Sequence, residues 1–180
     1  MIILGIDPGS RATGYGVIEI GNASRVIDYG VLKPRVDAGQ ALRLARIYHG
    51  LLEIFDKTRP DCCAIEMPIY AQNAQSMLKL GRAQAAAMLA AMSREVPIVE
   101  YTPKEIKKSV TGNGNATKTQ VWFMVKQMLL IDEDRGHDAS DALAVGLCHS
   151  HRLGSGGDYG KAHGSWAAFI RANPDRIADR

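Results

Sequence analysis

Met1-Ile2-Ile3-Leu4-Gly5-Ile6-Asp7-Pro8-Gly9-Ser10 opens the chain, and its first six residues decide how the rest is read. An unbroken apolar run with β-branched residues, closed by Asp-Pro-Gly-Ser, is the pattern of a strand covered on both faces and ended by a turn. Gly14-Tyr15-Gly16-Val17-Ile18-Glu19-Ile20 resumes extended, Gly21-Asn22 turns the chain again, and Arg25 to Leu32 reads as a third strand. Strands joined by loops this short pair as an antiparallel meander.

Past Gln40 the period changes. Leu44, Ile47, Tyr48, Leu51 and Phe55 recur at helical spacing up to Arg59-Pro60, which ends the helix. Cys62 to Glu66 is a short apolar strand with Pro68 just beyond. Asn73 to Glu95 reads as a long helix, alanine-rich between 83 and 91 and stopped by Pro97, and Ile98 to Tyr101 supplies a fifth strand. Thr102-Pro103-Lys104-Glu105 holds the parts of a helix start: a capping threonine, proline at the first helical position and glutamate three after the cap. Thr111-Gly112-Asn113-Gly114-Asn115 is a turn-forming loop, and Thr117 can cap a helix running to about Leu130. Asp132 to Gly136 is a polar linker, and His137 to about His149 is a last helix. The order βββ-α-β-α-β-α-α-α predicts an α/β fold, a mixed five-stranded sheet flanked by helices. Helical crossovers make strands one and four parallel, with their carboxyl ends at one edge, where such sheets form ligand sites.

The chain has 180 residues, enough for one domain, and its 46% hydrophobic and 23% charged content is that of a globular protein. Residues 1–151 carry the patterned domain. From Gly154 the sequence is glycine-rich and weakly patterned, so 152–180 is expected to be a mobile C-terminal tail, with Trp166, Phe169 and Ile170 able to dock locally. No apolar run approaches the roughly 20 residues of a membrane span. The N-terminus lacks the basic stretch and cleavage site of a signal peptide, so a cytoplasmic location is expected.

Three cysteines imply no disulfide framework. Cys62 and Cys63 point to opposite faces of a strand and cannot share a tetrahedral metal site. Cys148-His149-Ser150-His151 raises a zinc reading, but no partner pair lies at a suitable distance; a buried thiol flanked by surface imidazoles is the better expectation. The net charge of +3 says less than its distribution. Lys104, Lys107, Lys108, Lys118 and Lys126 are opposed within their stretch by Glu105 alone, a local excess larger than that of the whole chain. Charge alone makes this a solvated surface.

Four acids stand out by position. Asp7 follows the first strand and Glu66 closes the fourth, so both fall at the expected edge. Asp138 and Asp141 lie three apart, hence on one face of an otherwise apolar helix, Ala139 to Leu147. Stabilisation by the helix dipole accounts for Asp138 well and Asp141 adequately, and an isolated aspartate after a strand is commonly a turn residue. Neither explains the set. Converging carboxylates repel unless they bind cations, and oxygen-only ligation suits magnesium or manganese. Two such ions about 4 Å apart serve phosphodiester hydrolysis, and four negative charges against two divalent cations come near balance.

Gly5-Ile6-Asp7-Pro8-Gly9-Ser10 with Thr13-Gly14-Tyr15-Gly16 resembles the opening of the RuvC family of Holliday-junction resolvases. Ala64-Ile65-Glu66, then Asn73-Ala74 and Leu78-Lys79-Leu80-Gly81-Arg82-Ala83, resembles that family's second acidic segment and following helix. His137-Asp138-Ala139-Ser140-Asp141-Ala142-Leu143-Ala144 resembles its third. The three match in order and spacing over nearly 150 residues. The resemblance implies an RNase H-like fold, with 1–151 as the nuclease domain. It further implies a homodimer that resolves four-way junction DNA by paired symmetric nicks leaving 5′-phosphate and 3′-hydroxyl ends, in recombination and repair, alongside the RuvA and RuvB branch-migration proteins. Asp7, Glu66, Asp138 and Asp141 would be the catalytic acids and the ligands of two magnesium ions, with manganese as the alternative and Asp7 bridging. Lys107 and Lys118 match basic positions used at the DNA backbone, where they position rather than read sequence; Lys108 and Arg82 join them as DNA-binding candidates.

In one place the sequence departs from the pattern. The family commonly has an aromatic three residues after the glutamate; here Ile69 stands there, and the aromatic is Tyr70. Tyr70 can stack from a shifted loop, Ile69 can act as an apolar wedge, or Tyr70 can be a core or dimer-contact residue. His137 is either a helix-start residue or a group orienting a carboxylate. Asp-x-Gly after an apolar strand also opens the phosphate loop of actin-like and sugar-kinase ATP-binding proteins, but those duplicate the fold and carry further glycine-rich motifs absent here. A junction binder without chemistry would have no need of all four acids. A nuclease of the same fold acting on RNA or other branched DNA is set aside only by the family match.

Overall fold

Ile2–Asp7 (β1) lies at the centre of a five-stranded sheet whose order is β3-β2-β1-β4-β5. The structure is a computed structural model and describes residues 1–21, 23–35, 39–68, 74–133 and 135–154. Thr13–Glu19 (β2) runs antiparallel to β1, and Arg25–Leu32 (β3) antiparallel to β2 with an irregularity between Val17 and Ile18. Gln40–Thr58 (α1) then crosses over to Cys62–Glu66 (β4), parallel to β1, and Ala74–Met92 (α2) crosses to Ile98–Tyr101 (β5), parallel to β4. Pro103–Thr111 (α3), Lys118–Leu129 (α4) and His137–Gly154 (α5) complete the chain. This is the mixed, helix-flanked sheet that the order of patterns predicts.

The pleat sorts the core. Alternate residues of a strand face opposite sides, and in β1 Leu4 and Ile6 pack with Ile47, Leu51 and Phe55 of α1 and with the alanines of α2. Ile3 faces the other way, joining Cys62, Ala64 and the buried residues of α3, α4 and α5. The same parity puts Gly5 and Asp7 with Ile3, and Glu66 with Cys62 and Ala64. Both sheet acids therefore point toward the layer that contains α5.

Alpha-helical ends follow their sequence signals. Thr102 and Glu105 form a reciprocal capping box with Pro103 inside it, and Thr117 and Gln120 form a second. Gly112 closes α3 in the left-handed conformation at φ 76°, a value that suits glycine. Two expectations are corrected. Alpha5 continues past His149 to Gly154. His149 is not a surface imidazole but fully buried: its Nδ1 lies 2.7 Å from the Tyr101 hydroxyl. Burial, helped by the charge of Arg152, pushes its pKa down to about 4, so the ring is neutral near pH 7. Cys148 is buried as expected, and His151 is exposed. Ile69, Tyr70 and residues 155–180 of the expected tail lie outside the described residues.

Candidate active site

Alpha5 reaches the sheet because three strand positions lack side chains. A Cβ on Gly5 would collide with the carbonyl oxygen of Ala142, and one on Gly14 with that of Asp138; one on Gly16 would press into Leu143. Helix backbone thus lies directly on β1 and β2. Gly14 pairs across the ladder with Asp7, so the contact at Gly14 sets the start of α5, with Asp138, beside Asp7. One turn on, Asp141 comes to the same place.

Asp7, Glu66 and Asp141 line one cleft of about 140 Å³ together with Lys107, Lys118, Pro103, Ile106, Val121 and Ala144. Asp138 is not among the lining residues, but its charge acts on Asp7. Among the described residues, no three acidic, histidine or cysteine side chains are drawn up at the spacing of a loaded cation site. Lys118 Nζ instead stands 2.6 Å from Asp141 Oδ2. This lysine starts α4, directly after the Thr117 cap, and points into the cleft rather than along an outer surface.

The electrostatics are those of a cluster short of positive charge. Burial, then the charges of Asp141 and Asp138, hold the Asp7 carboxyl well above the usual carboxylate range, and Lys118 only partly offsets them. Glu66 is pushed up by burial first, then by Asp7 and Asp141. The two carboxyls share a hydrogen bond that lowers Asp7 and raises Glu66. Lys118 is in turn held above its ordinary value by its hydrogen bond to Asp141. Carboxylates that cannot all ionise beside one another fit a hard divalent cation, which would supply the missing charge and take oxygen ligands.

Other candidates fall elsewhere. Lys108 and Arg82 are exposed and line no part of this cleft; Arg82 sits on α2, in the layer covering the opposite face of the sheet. His137 is the exposed first residue of α5, where its carbonyl accepts a hydrogen bond from Ser140 Oγ at 2.7 Å, the helix-start position. Residue-level reading missed the contact of Lys118 with Asp141 and the close packing at Gly5, Gly14 and Gly16. The glycines did carry a signal, since their pleat parity matches that of Asp7 and Glu66.

Fold and cleft together define an RNase H-like domain with the carboxylate edge of a metal-dependent nuclease. The family model described as "Crossover junction endodeoxyribonuclease RuvC" matches residues 3–149. A crossover junction endodeoxyribonuclease RuvC of Salinibacter ruber is 50% identical over 99% of this chain and 100% of its own length. That of Cytophaga hutchinsonii is 45% identical over 98% of this chain and 88% of its own. Among solved structures, Thermus thermophilus RuvC in complex with Holliday junction substrate superposes with a TM-score of 0.82 at 31% identity, covering 87% of this chain and 97% of that one. A Holliday junction resolvase of yeast mitochondria, 12% identical with a TM-score of 0.62, shares the fold. The chain belongs to the RuvC family of crossover junction endodeoxyribonucleases.

Proposed function

We propose that this chain resolves four-way DNA junctions by paired symmetric nicks, with Asp7, Glu66, Asp138 and Asp141 as its catalytic acids and metal ligands. The observation that supports this most is the convergence of Asp7, Glu66 and Asp141, from three distant segments, on one cleft beside two lysines. Asp7 takes the central ligand position, because the other three acids all act on its carboxyl. Magnesium is the proposed cation, two ions per site, with manganese able to replace it; when bound, the ions activate a water and steady the leaving oxygen. Lys107 and Lys118 hold the phosphate flanking the scissile bond, fixing its position without reading bases. Cleavage then leaves 5′-phosphate and 3′-hydroxyl ends.

Two symmetric nicks call for two sites, and α2 offers a surface for a second copy. Leu78, Leu89 and Met92 are exposed hydrophobic residues on one stripe of that helix. Homodimerisation along this stripe is part of the proposal, as are cooperation with RuvA and RuvB, work in recombination and repair, and a cytoplasmic location. No described helix is long and apolar enough to cross a membrane. Residues 1–151 are proposed as the nuclease domain and 152–180 as a tail beyond it.

The test is a synthetic four-way junction with mapped nick positions, in magnesium and, for binding without cutting, in calcium. Paired nicks at symmetry-related positions are expected, with Asp7→Asn binding the junction normally and failing to cut. Nicks without symmetry, equal cutting of linear duplex, or loss of binding in step with cutting would count against the assignment.

A further inference from the structure

Among the described residues, Lys118 makes the one ion pair to any of the four acids, with Nζ 2.6 Å from Asp141 Oδ2. The two partners differ in exposure. The lysine side chain is 67% exposed and the aspartate side chain 18%. Lys118 also feels the charges of Asp7 and Asp138, so it neutralises the cluster as a whole rather than one exposed partner. Its stem starts at the capped first turn of α4, which fixes the backbone while leaving a four-carbon arm free to swing.

A carboxylate oxygen that accepts a hydrogen bond from an ammonium at this distance cannot at the same time ligate a small divalent ion without setting two cations side by side. One must leave. The ammonium is the one on a flexible, solvent-exposed arm, and a DNA phosphate entering the same cleft would offer it an anion outside the acid cluster. We propose that Lys118 is the cation place-holder of the acid cleft, displaced from Asp141 by the incoming divalent ion and thereby released to the DNA backbone. Lys118 is then a positioning residue that links ion loading to the grip on DNA. Lys107, which lines the same cleft, makes no such ion pair and contributes to DNA binding whether or not an ion is present. This inference rests on the metal-site reading above.

The full-length protein is titrated with manganese alone and the free ion counted by electron paramagnetic resonance, for wild type, Lys118→Met and Lys118→Arg. Removing the competitor is expected to tighten manganese binding by about threefold to fivefold in Lys118→Met, the range a partly exposed ion pair permits. Lys118→Arg is expected to stay near wild type. Equal affinities in wild type and Lys118→Met, or weaker binding in the variant, overturn the proposal while leaving the metal site standing. No binding to any of the three proteins overturns the metal-site reading and the proposal with it. As a second readout, the salt dependence of junction binding is compared with and without calcium. The log–log slope of wild type is expected to exceed that of Lys118→Met by about one counterion in calcium and by little without it. The same difference under both conditions would mean that Lys118 is never tied up at Asp141, and the hand-over fails.

Discussion

Asp7 ends a strand in which every other residue faces a packed core, and its carboxyl meets three other acids there. Its raised pKa has a consequence for stability that can be read without DNA. A carboxyl whose folded pKa lies above its unfolded value binds more protons in the folded state across the interval between the two. Stability is then fully present below the ordinary carboxylate range and falls as pH rises through that interval. Asp7→Asn removes the conflict. Without divalent ions at pH 8 the variant is expected to melt higher than wild type by about 2 to 6 °C, and the gap to close by pH 4. Differential scanning calorimetry at the two pH values checks this; a variant less stable at pH 8 would show that Asp7 contributes more by its contacts than it costs by its charge.

Elements were largely legible in the sequence because each boundary has a local cause. Pro97 and the capping boxes at Thr102 and Thr117 act within a few residues of the ends they set, and hydrophobic period separates α1 from the strands around it. What was not legible depends on tertiary approach. The extension of α5 to Gly154 and the burial of His149 follow from packing against Tyr101, which no local pattern announces. The seating of α5 on Gly5 and Gly14 is half-way between: their pleat parity with Asp7 is visible in the sequence, but that they set how near Asp138 and Asp141 come to Asp7 follows only from the packing. Gly14→Ala tests that role. A methyl group there must push α5 off β2, a cost of about 1 to 3 kcal/mol for overpacking a tight interface. The variant is expected to fold with a lowered Tm, to bind junctions, and to lose most of its cleavage. Wild-type cleavage in this variant would mean that the acids tolerate a displaced helix.

At the scale of the molecule, the lysines of α3 and α4 that pattern alone left as a solvated surface divide by position. Lys107 and Lys118 face the acid cleft, whereas Lys108 lies outside it. Lys107→Ala is expected to weaken junction binding and to reduce the slope of log affinity against log salt by about one counterion; fluorescence anisotropy across a salt series in calcium measures it, and an unchanged slope would remove Lys107 from the DNA contact. The charge arrangement makes sense as one device: basic arms draw the DNA backbone to the rim, and the acidic floor accepts a phosphate against it only once cations neutralise it. On the proposed reading, cutting depends on that neutralisation. The most direct test is a crystal of this protein soaked in manganese and measured for anomalous scattering. Density is expected between Asp7, Glu66 and the Asp138–Asp141 pair, with carboxylate oxygens at about 2.0 to 2.2 Å from the ion. Manganese bound only elsewhere, with the four acids unliganded, would contradict the site.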